Sequence, residues 1–414
     1  MFKETQVFIL LFAVFPVIDA LNGFVLSAGI NIPIGVVYRL VCIGFLVFQI
    51  VRKGFPMTSY TILSVTFVSC SIISLLVQTI VLQNDLSALL YDLTNMTKFF
   101  LWVLIPYYVY QRKNQLKKES YEKIFLVISI SFTLGLLIPY VLGIGNQTYA
   151  GSDAGYKAFF FANNDTTIGF IASATFTGWY LFQQIKSTKL RTRVLLGLLY
   201  LGNLLGLLLL GTKTGIAYGA VLTIVLLLRF LFFRNRIRLG TKWGIGLAII
   251  SILTFIVFQS RAFIVVTMSG LVQRLTYFYN LYNDDLVRFI TSSRSEFLDV
   301  AFGLFMGSGN IMTQFFGYGF NQRVATWGLG DLVEMDFFDV FFSLGVLGLL
   351  ATLGLLIFFA TLCKKRSIYS VLFFVLLLYG AFAGHVLFSA LSSTLFGLIC
   401  GGLFLQKESL CEKE

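Results

Sequence analysis

Charged residues are scarce in this sequence. Of its 414 residues only 12% are charged, 57% are hydrophobic, and the mean hydropathy is +0.86. A soluble domain carries about 25% charged residues, so this composition excludes a soluble enzyme and a disordered chain. Cysteine is scarce as well: the chain has five, and none falls in a segment predicted to lie outside the cell. We therefore expect no structural disulfide.

Familiar catalytic motifs are also missing. The sequence has no H-E-x-x-H and no G-x-S-x-G, which argues against an intramembrane metalloprotease and a serine hydrolase. It has no clustered carboxylates beside a phosphate loop, so we expect no metal and no cofactor. The net charge of +12 is not accompanied by a known nucleic-acid-binding module, so we expect no nucleic-acid partner.

Long apolar runs dominate what is present. A transmembrane helix needs roughly 20 apolar residues, and about twelve such runs lie at 6–28, 33–51, 58–82, 93–110, 124–144, 164–183, 194–210, 215–233, 243–259, 337–360, 367–383 and 386–405. If the N-terminus is inside, every cytoplasmic loop is basic, as the positive-inside rule requires. We therefore predict an all-α polytopic protein of the plasma membrane with both termini in the cytoplasm.

One connection is much longer than the others. Residues 260–336 form an extracytoplasmic loop between transmembrane helices 1–9 (1–259) and helices 10–12 with a cytoplasmic tail (337–414). Loops of this length are normally functional or contain their own secondary structure. Two amphipathic helices are predicted, at 271–290 and 293–305. Ser293 and Glu296 have the spacing of a capping box, which places Arg294 in the first helical turn, where an anion is favoured.

Five short segments carry a resemblance to a known family. The sequence EMDFFDVFFSLGVLG at 334–348 ends in F-x-x-x-G-x-x-G and enters a span directly after the long loop. Further similar segments are FFFANND (159–165), GTKTG (211–215), SSRSEF (292–297) and GHVLFSALSST (384–394). Together they resemble the O-antigen polymerase and O-antigen ligase superfamily, and within it the Wzy-type polymerases of Gram-positive capsule or exopolysaccharide loci.

The resemblance also has departures. Ligases open the 334–348 stretch with a His-Asn pair, where this chain has Glu334 and Met335. The family often shows an arginine in the 211–215 turn, where this chain has Lys213. A lysine offers a point charge rather than the two-pronged guanidinium that suits phosphate. The missing His-Asn pair favours a polymerase over a ligase.

The resemblance implies a GT-C-like glycosyltransferase. Its substrate would be an oligosaccharide on undecaprenyl pyrophosphate, its surroundings membrane lipid, and its partner proteins a flippase and a chain-length regulator. Pyrophosphate would be bound by basic residues without a metal, and the candidates are Arg294, Arg261, Arg288 and Lys213. The acceptor proton would be taken by Glu334, Asp336 or His385, the only histidine in the chain.

Two other functions stay open from the sequence. A ligase that joins finished chains to another carrier would need the same topology and the same substrates. A transporter or lipid-linked oligosaccharide flippase also has about twelve spans, but such proteins often have repeated halves, and no convincing internal repeat is found here.

Cysteine labelling tests the predicted topology. In a chain without its native cysteines, single cysteines should be labelled from outside at two positions, Ala150 and Ala325. They should be protected in the predicted cytoplasmic loops, at Gln115, Thr188, Arg236 and Lys365. Labelling at Arg236 from outside would contradict the topology, because it would place a strongly basic loop on the wrong side of the membrane.

Overall fold

The computed structural model describes residues 4–149, 155–184, 189–233, 272–273, 276–282, 285–307, 309–328 and 333–406. The predicted span at 243–259 and the candidate Arg261 lie outside these residues. The chain folds into two compact units: residues 1–15, 33–124 and 285–414 form unit one, and residues 16–32 and 125–284 form unit two. The predicted segment boundaries at 259 and 336 stay predictions.

The described residues are almost entirely helical. In chain order the elements are α1 (Glu4–Ala13), α2 (Phe15–Ser27), α3 (Ile34–Lys53), α4 (Ser59–Ile80), α5 (Leu86–Gln111), α6 (Lys118–Val141), β1 (Asn146–Gln147), β2 (Tyr156–Ala158), α7 (Asn163–Gln184), α8 (Leu190–Leu210), α9 (Lys213–Phe233), α10 (Leu286–Thr291), α11 (Arg294–Gly307), α12 (Ile311–Phe316), α13 (Phe320–Trp327), α14 (Asp336–Leu362), α15 (Ile368–Ala383) and α16 (Ala390–Phe404).

Several of these helices can cross a membrane. Within the described residues, α3, α4, α5, α6, α8 and α14 are long and apolar enough, which makes six spans, or seven if α1 and α2 form one bent span. α15 and α16 are apolar but shorter. These helices confirm the predicted all-α polytopic class, whereas the number of twelve spans stays a prediction.

Helix α16 is the centre of unit one, and all its residues from Leu391 to Phe404 are buried. Small side chains allow other helices to approach it closely, as is common where helices pack in membranes. A Cβ at Gly397 would lie 3.0 Å from the backbone of Trp102 in α5. The carbonyl of Leu398 accepts a hydrogen bond from the hydroxyl of Tyr121 at 2.6 Å. This packing fixes the helices that carry the candidate site.

Helix α14 is interrupted at Gly345, which has φ 70° and ψ −170°. The break leaves carbonyl groups without helical partners, and side chains of α4 bind two of them. Gln78 donates to the carbonyl of Ser343 at 2.8 Å, and Ser74 donates to that of Leu344 at 3.2 Å. The amide of Tyr318, between α12 and α13, donates to the carbonyl of Phe342 at 2.8 Å. The carbonyl groups freed by the break therefore bind the turn between α12 and α13 and hold it against α14.

A buried carboxylate fixes the other end of that turn. Asp92 lies inside α5 and is 2% exposed, and its Oδ1 accepts the amide hydrogen of Asn321 at 2.7 Å. Asn321 is in the first turn of α13, whose amides have no intrahelical partners. The sequence predicted the fourth span at 93–110 and made it the weakest of the twelve, because Asp92 and Lys98 lie at its start. In the structure α5 begins at Leu86, and Asp92 serves as a helix cap.

The predicted helices of the long loop are partly confirmed. Residues 276–281 are helical, but the predicted helix at 271–290 does not continue unchanged, because α10 begins anew at Leu286. Asp285 caps α10 by accepting the amide hydrogen of Arg288 at 3.0 Å. The second predicted helix, 293–305, corresponds to α11.

Unit two contains a short hairpin, β1–β2, and the packed helices α7, α8 and α9. Hydroxyl pairs join neighbouring helices: Thr175 and Tyr218 lie 2.6 Å apart, and Tyr200 and Thr223 lie 3.0 Å apart. A Cβ at Gly206 in α8 would overlap the ring of Phe170 in α7. Helices α7 and α8 can therefore approach each other closely because Gly206 has no side chain.

Replacing Gly345 by alanine should destabilise unit one. The residue has a positive φ, and its Cβ would overlap the backbone of Phe315 and Phe316. A non-glycine residue in a sparsely populated conformation costs about 1–3 kcal/mol before the clash is counted. We expect a lower thermal unfolding midpoint for Gly345→Ala in detergent.

The matched control is Gly354→Ala in the same helix. The nearest atom to its Cβ is Leu63 Cδ2 at 3.6 Å, an ordinary contact. Alanine is favoured over glycine in a helix by about 1 kcal/mol, so this variant should unfold at or above the wild-type midpoint. Equal midpoints for the two variants would contradict the account of the break.

Candidate active site

Three residues that the sequence suggested meet in unit one. The carboxylate of Glu334 accepts a hydrogen bond from Nη2 of Arg294 through Oε2. Its Oε1 lies 3.3 Å from Nε2 of His385. Glu334 is 41% exposed and His385 is 23% exposed, so the group is accessible from outside the protein. The structure thus brings a cation, a carboxylate and an imidazole together from segments 40 or more residues apart.

The position of Glu334 depends on Asp339, one turn into α14. Asp339 Oδ1 accepts the amide hydrogen of Val333 at 2.7 Å, and its Oδ2 accepts that of Met335 at 3.1 Å. These amides flank Glu334 on both sides. Arg323 from α13 donates to the same Oδ1 at 2.9 Å, and both side chains of this pair are 1% exposed. A buried charge is tolerated because it is paired with an opposite charge and the carboxylate of Asp339 accepts three hydrogen bonds.

The position of His385 depends on Asp336, the first residue of α14. Asp336 Oδ2 accepts the amide hydrogens of Val386 at 2.9 Å and Leu387 at 3.1 Å. Asp336 was a candidate base, but it is 2% exposed. Its carboxylate positions the segment that carries His385, and its role as a base stays a prediction.

Glu334 and His385 both have unusual backbone conformations. Glu334 has φ 66° and His385 has φ 65°, in the left-handed region that side chains rarely occupy. Such strain persists only where the surroundings enforce it, and it is concentrated at functional sites. Here the surroundings are the two aspartates and Gly384, whose missing Cβ makes room for the backbone of Glu334.

Arg294 begins α11, as the sequence predicted, but the predicted capping box does not form. Ser293 has φ 67° rather than the extended conformation of an N-cap. The Glu296 carboxylate instead binds Arg288, at 2.6 Å. Arg294 is 12% exposed and also donates from Nη1 to the carbonyl of Thr291 at 3.2 Å. The helix start therefore aims the guanidinium at Glu334 without the expected cap.

The surroundings of Glu334 act in opposite directions on its pKa. Burial raises the pKa of this carboxyl, while the hydrogen bond with His385 and the positive charge of Arg294 lower it. The lowering effects are larger together, and the pKa lies below its ordinary value of 4.5. Glu334 is therefore ionised at neutral pH and is a weak base there.

The remaining candidates lie elsewhere. Arg288 is in α10, paired with Glu296 on the partly exposed surface of unit one. Lys213 belongs to unit two, where it is the first residue of α9 and follows Thr212, whose hydroxyl accepts the amide hydrogen of Gly215 at 3.3 Å. Arg261 lies outside the described residues. No group of three or more His, Cys, Asp and Glu side chains that could hold a metal occurs in the described part of the chain.

The sequence analysis did not identify the residues that hold Glu334 and His385 in position. The sequence assigned no role to Arg323 or Asp339, and Gly384 occurred only as part of the 384–394 motif. A signal was available: Asp336 and Asp339 are three residues apart at a predicted helix start, so they share one face and the first turn, where amide acceptors are favoured. Nothing in the sequence could pair Asp339 with Arg323.

Comparison with known proteins gives one match. A family model described as O-antigen ligase like membrane protein matches residues 3–288. The matched range covers more than half of the chain and ends six residues before Arg294. No curated protein matches the chain.

The lowered pKa of Glu334 predicts an acid sensitivity. A carboxyl group whose pKa is lower in the folded state stabilises that state above its unfolded pKa of about 4.5. This stabilisation is lost as the pH falls through the lowered value. The unfolding midpoint of the wild type should therefore fall as the pH is lowered below about 4.5, and that of Glu334→Gln should fall less.

Glu296→Gln is the matched control, because it also removes the carboxylate of an arginine pair near the start of α11. It should keep the acid sensitivity of the wild type. If Glu334→Gln and the wild type lose stability equally on acidification, Glu334 is not the titrating group.

Proposed function

The chain belongs to the O-antigen ligase like membrane protein family, and we propose on this basis that it is a polysaccharide polymerase of the plasma membrane. It would transfer a glycan from undecaprenyl pyrophosphate to a hydroxyl of the next lipid-linked repeat unit. The observation that carries the proposal is the Arg294–Glu334–His385 group. In this partly exposed group a cation that can bind an anion, Arg294, lies beside two candidate bases, Glu334 and His385.

The reaction sets two demands. The acceptor oxygen forms a bond to the anomeric carbon, the bond from that carbon to the phosphate oxygen breaks, and the pyrophosphate leaves with the electron pair. The acceptor hydroxyl must also give up its proton to a base. Negative charge grows on the leaving pyrophosphate, and fixed cations can stabilise it without a metal.

Of the neighbouring residues Glu334 and His385, His385 is the better base. Glu334 is ionised and held by Arg294, so its affinity for a proton is low. A free histidine has a pKa of about 6.5, which suits proton transfer at neutral pH. When Nε2 of His385 donates to Glu334, its Nδ1 is the nitrogen that can accept the proton of the acceptor. Glu334 then orients the imidazole and stabilises its charged form, as the carboxylate of a catalytic triad does.

Arg294 would bind the pyrophosphate, and Glu334 occupies that guanidinium in the described structure. The donor therefore has to share Arg294 with Glu334 or displace it. Arg294 Nε is buried and has no hydrogen-bond partner among the described residues. Arg288, in the same unit as Arg294, would supply further positive charge to the phosphates, and Lys213 and Arg261 stay candidates from the sequence.

The ligase is the second candidate, because the matching family is named for ligase-like proteins. The purified protein, incubated with a synthetic lipid-pyrophosphate repeat unit in EDTA, should produce a ladder of longer glycans. A single transfer to a different carrier would instead indicate a ligase. No reaction with either acceptor would contradict the transferase proposal and favour transport of the lipid-linked glycan.

In the same assay Arg294→Ala should lower turnover by about 10²–10³-fold, the usual cost of losing a contact that strengthens in the transition state. Arg294→Lys should recover only part of this, since the two-pronged geometry is lost. Asp299→Asn, an exposed charge change in the same helix, should leave the ladder intact. Full polymer synthesis by stably expressed Arg294→Ala protein would contradict the assignment.

A double variant separates two roles of Arg294. If Arg294 only holds Glu334 in place, Arg294→Ala combined with Glu334→Gln should be no slower than Glu334→Gln alone. If Arg294 also binds the pyrophosphate, the double variant should be slower still.

A further inference from the structure

A pocket lies in unit one at the C-terminal ends of α5, α14 and α16. The Arg294–Glu334–His385 group lies near the opposite ends of α14 and α16. The lining of the pocket is mostly apolar and aromatic, and includes Tyr60, Tyr110, Phe358, Leu362, Leu403 and Phe404. Phe358 of the pocket lies 22 residues after Asp336, the first residue of α14, and a helix rises about 1.5 Å per residue, so the pocket and the start of α14 are roughly 30 Å apart. The proposed transferase reaction does not use this pocket.

The pocket wall includes a polar group that makes no hydrogen bond of good geometry. Tyr60 is 2% exposed, and the polar neighbour of its hydroxyl among the described residues is Ser64, which does not meet the usual hydrogen-bond geometry. Its ring stacks on Phe358 and also contacts Phe404, each with 4.9 Å between centroids. Buried hydroxyls are normally paired, because an unpaired one destabilises the fold. An acceptor atom supplied by a ligand would remove this cost.

The rim of the same pocket carries a positively charged side chain. Lys113 is exposed, and its one recorded contact among the described residues is with the ring of Tyr110, at 5.8 Å. No carboxylate lies within salt-bridge distance of it in that part of the chain, whereas the nearby Lys118 is 3.9 Å from Glu122. The pocket therefore combines a cation at its mouth, a hydroxyl in its wall and apolar rings around both.

The size of the pocket limits what can enter. Its volume is about 230 Å³, below the ~300–1,000 Å³ of pockets that enclose a whole drug-sized ligand. Only part of an amphiphile can be enclosed, with the rest outside. A membrane protein is surrounded by such molecules, and basic pockets between transmembrane helices bind anionic lipid headgroups.

We propose that this pocket binds the glycerol-phosphate end of an anionic diacyl phospholipid. Lys113 would contact the phosphate, the Tyr60 hydroxyl would donate to an ester carbonyl, and the rings of Phe358 and Phe404 would contact the first acyl carbons. A diacyl phospholipid carries an anion and carbonyl acceptors a few bonds apart. An isoprenoid phosphate lacks the carbonyl, so the pocket would distinguish ordinary membrane lipid from the proposed glycan donor.

Three lipids test the proposal on the full-length protein in detergent. Native mass spectrometry counts bound lipid, and thermal unfolding measures the stabilisation that it causes. Diester phosphatidylglycerol should bind more tightly than phosphatidylcholine, which lacks net charge, and more tightly than dialkyl-ether phosphatidylglycerol, which lacks the carbonyls. We expect each difference to be at least about threefold in affinity.

Two variants assign the preferences to residues. Lys113→Gln should lose about fivefold in affinity for phosphatidylglycerol and no longer prefer it to phosphatidylcholine. Lys117→Gln, an exposed lysine of the same loop outside the pocket lining, should behave as the wild type. Tyr60→Phe should bind the ester and ether lipids equally. It should unfold no earlier than the wild type without lipid, because it removes an unpaired hydroxyl, so lost binding is not lost folding.

The proposal is overturned if the wild type binds the three lipids equally, or if Lys113→Gln and Lys117→Gln have the same affinities. It is also overturned if free glycerol phosphate stabilises the protein as much as the lipid does, because a soluble anion would then be the occupant. None of these measurements depends on glycan transfer, so failure of the transferase proposal would not affect them.

Discussion

Two buried carboxylates at the start of α14 determine the geometry of the candidate site. Asp336 and Asp339 accept four backbone amide hydrogens from two separate segments, 333–335 and 386–387. Those segments carry Glu334 and His385 in left-handed conformations that are unfavourable on their own. Without the carboxylates, both segments would have unpaired buried amides. The backbone on either side of Glu334 and after His385 would then no longer be held in the position that brings the two side chains together.

The stability of this arrangement extends into the break of α14. Arg323 binds Asp339 and also donates to the hydroxyl of Ser343 at 2.8 Å, just before Gly345. Gln78 holds the carbonyl of Ser343 from α4. The break, α13 and the start of α14 are thus one hydrogen-bonded unit, and apolar packing by itself would leave its polar groups unsatisfied. Irregular backbone at membrane depth is tolerated only when it is satisfied by protein in this way.

The same constraint explains the chemistry that we propose. Glu334 lies between a guanidinium and an imidazole, so its negative charge is stabilised and its basicity is reduced. The neighbouring His385 then becomes the group best suited to take a proton, and Arg294 the group best suited to meet a phosphate. The pocket around Tyr60 and Lys113, at the other end of the same helices, has no carboxylate contact to Lys113 within the described residues and is suited to a resident lipid.

The sequence by itself determined the class of the protein. Long apolar runs with few charges require helices that satisfy their own backbone, so the all-α membrane class followed from composition. The resemblance of the segments at 334–348, 292–297 and 384–394 to a known family also pointed to Glu334, Arg294 and His385. Local patterns likewise predicted α11, since its start and its length depend on neighbouring residues.

Only the tertiary structure decided how these residues act. Arg323 and Asp339 are far enough apart in the chain, and Asp336 and Val386 much farther, that no local pattern could pair them. Asp336 was a candidate base from the sequence, and the structure shows in addition that it anchors the segment after His385, because its carboxylate accepts amide hydrogens from residues 50 and 51 positions away. Asp92 made the fourth span the weakest in the sequence, and in the structure it caps α13, because α13 begins beside it. A side chain's identity is local, but its partners are set by the packing of distant segments.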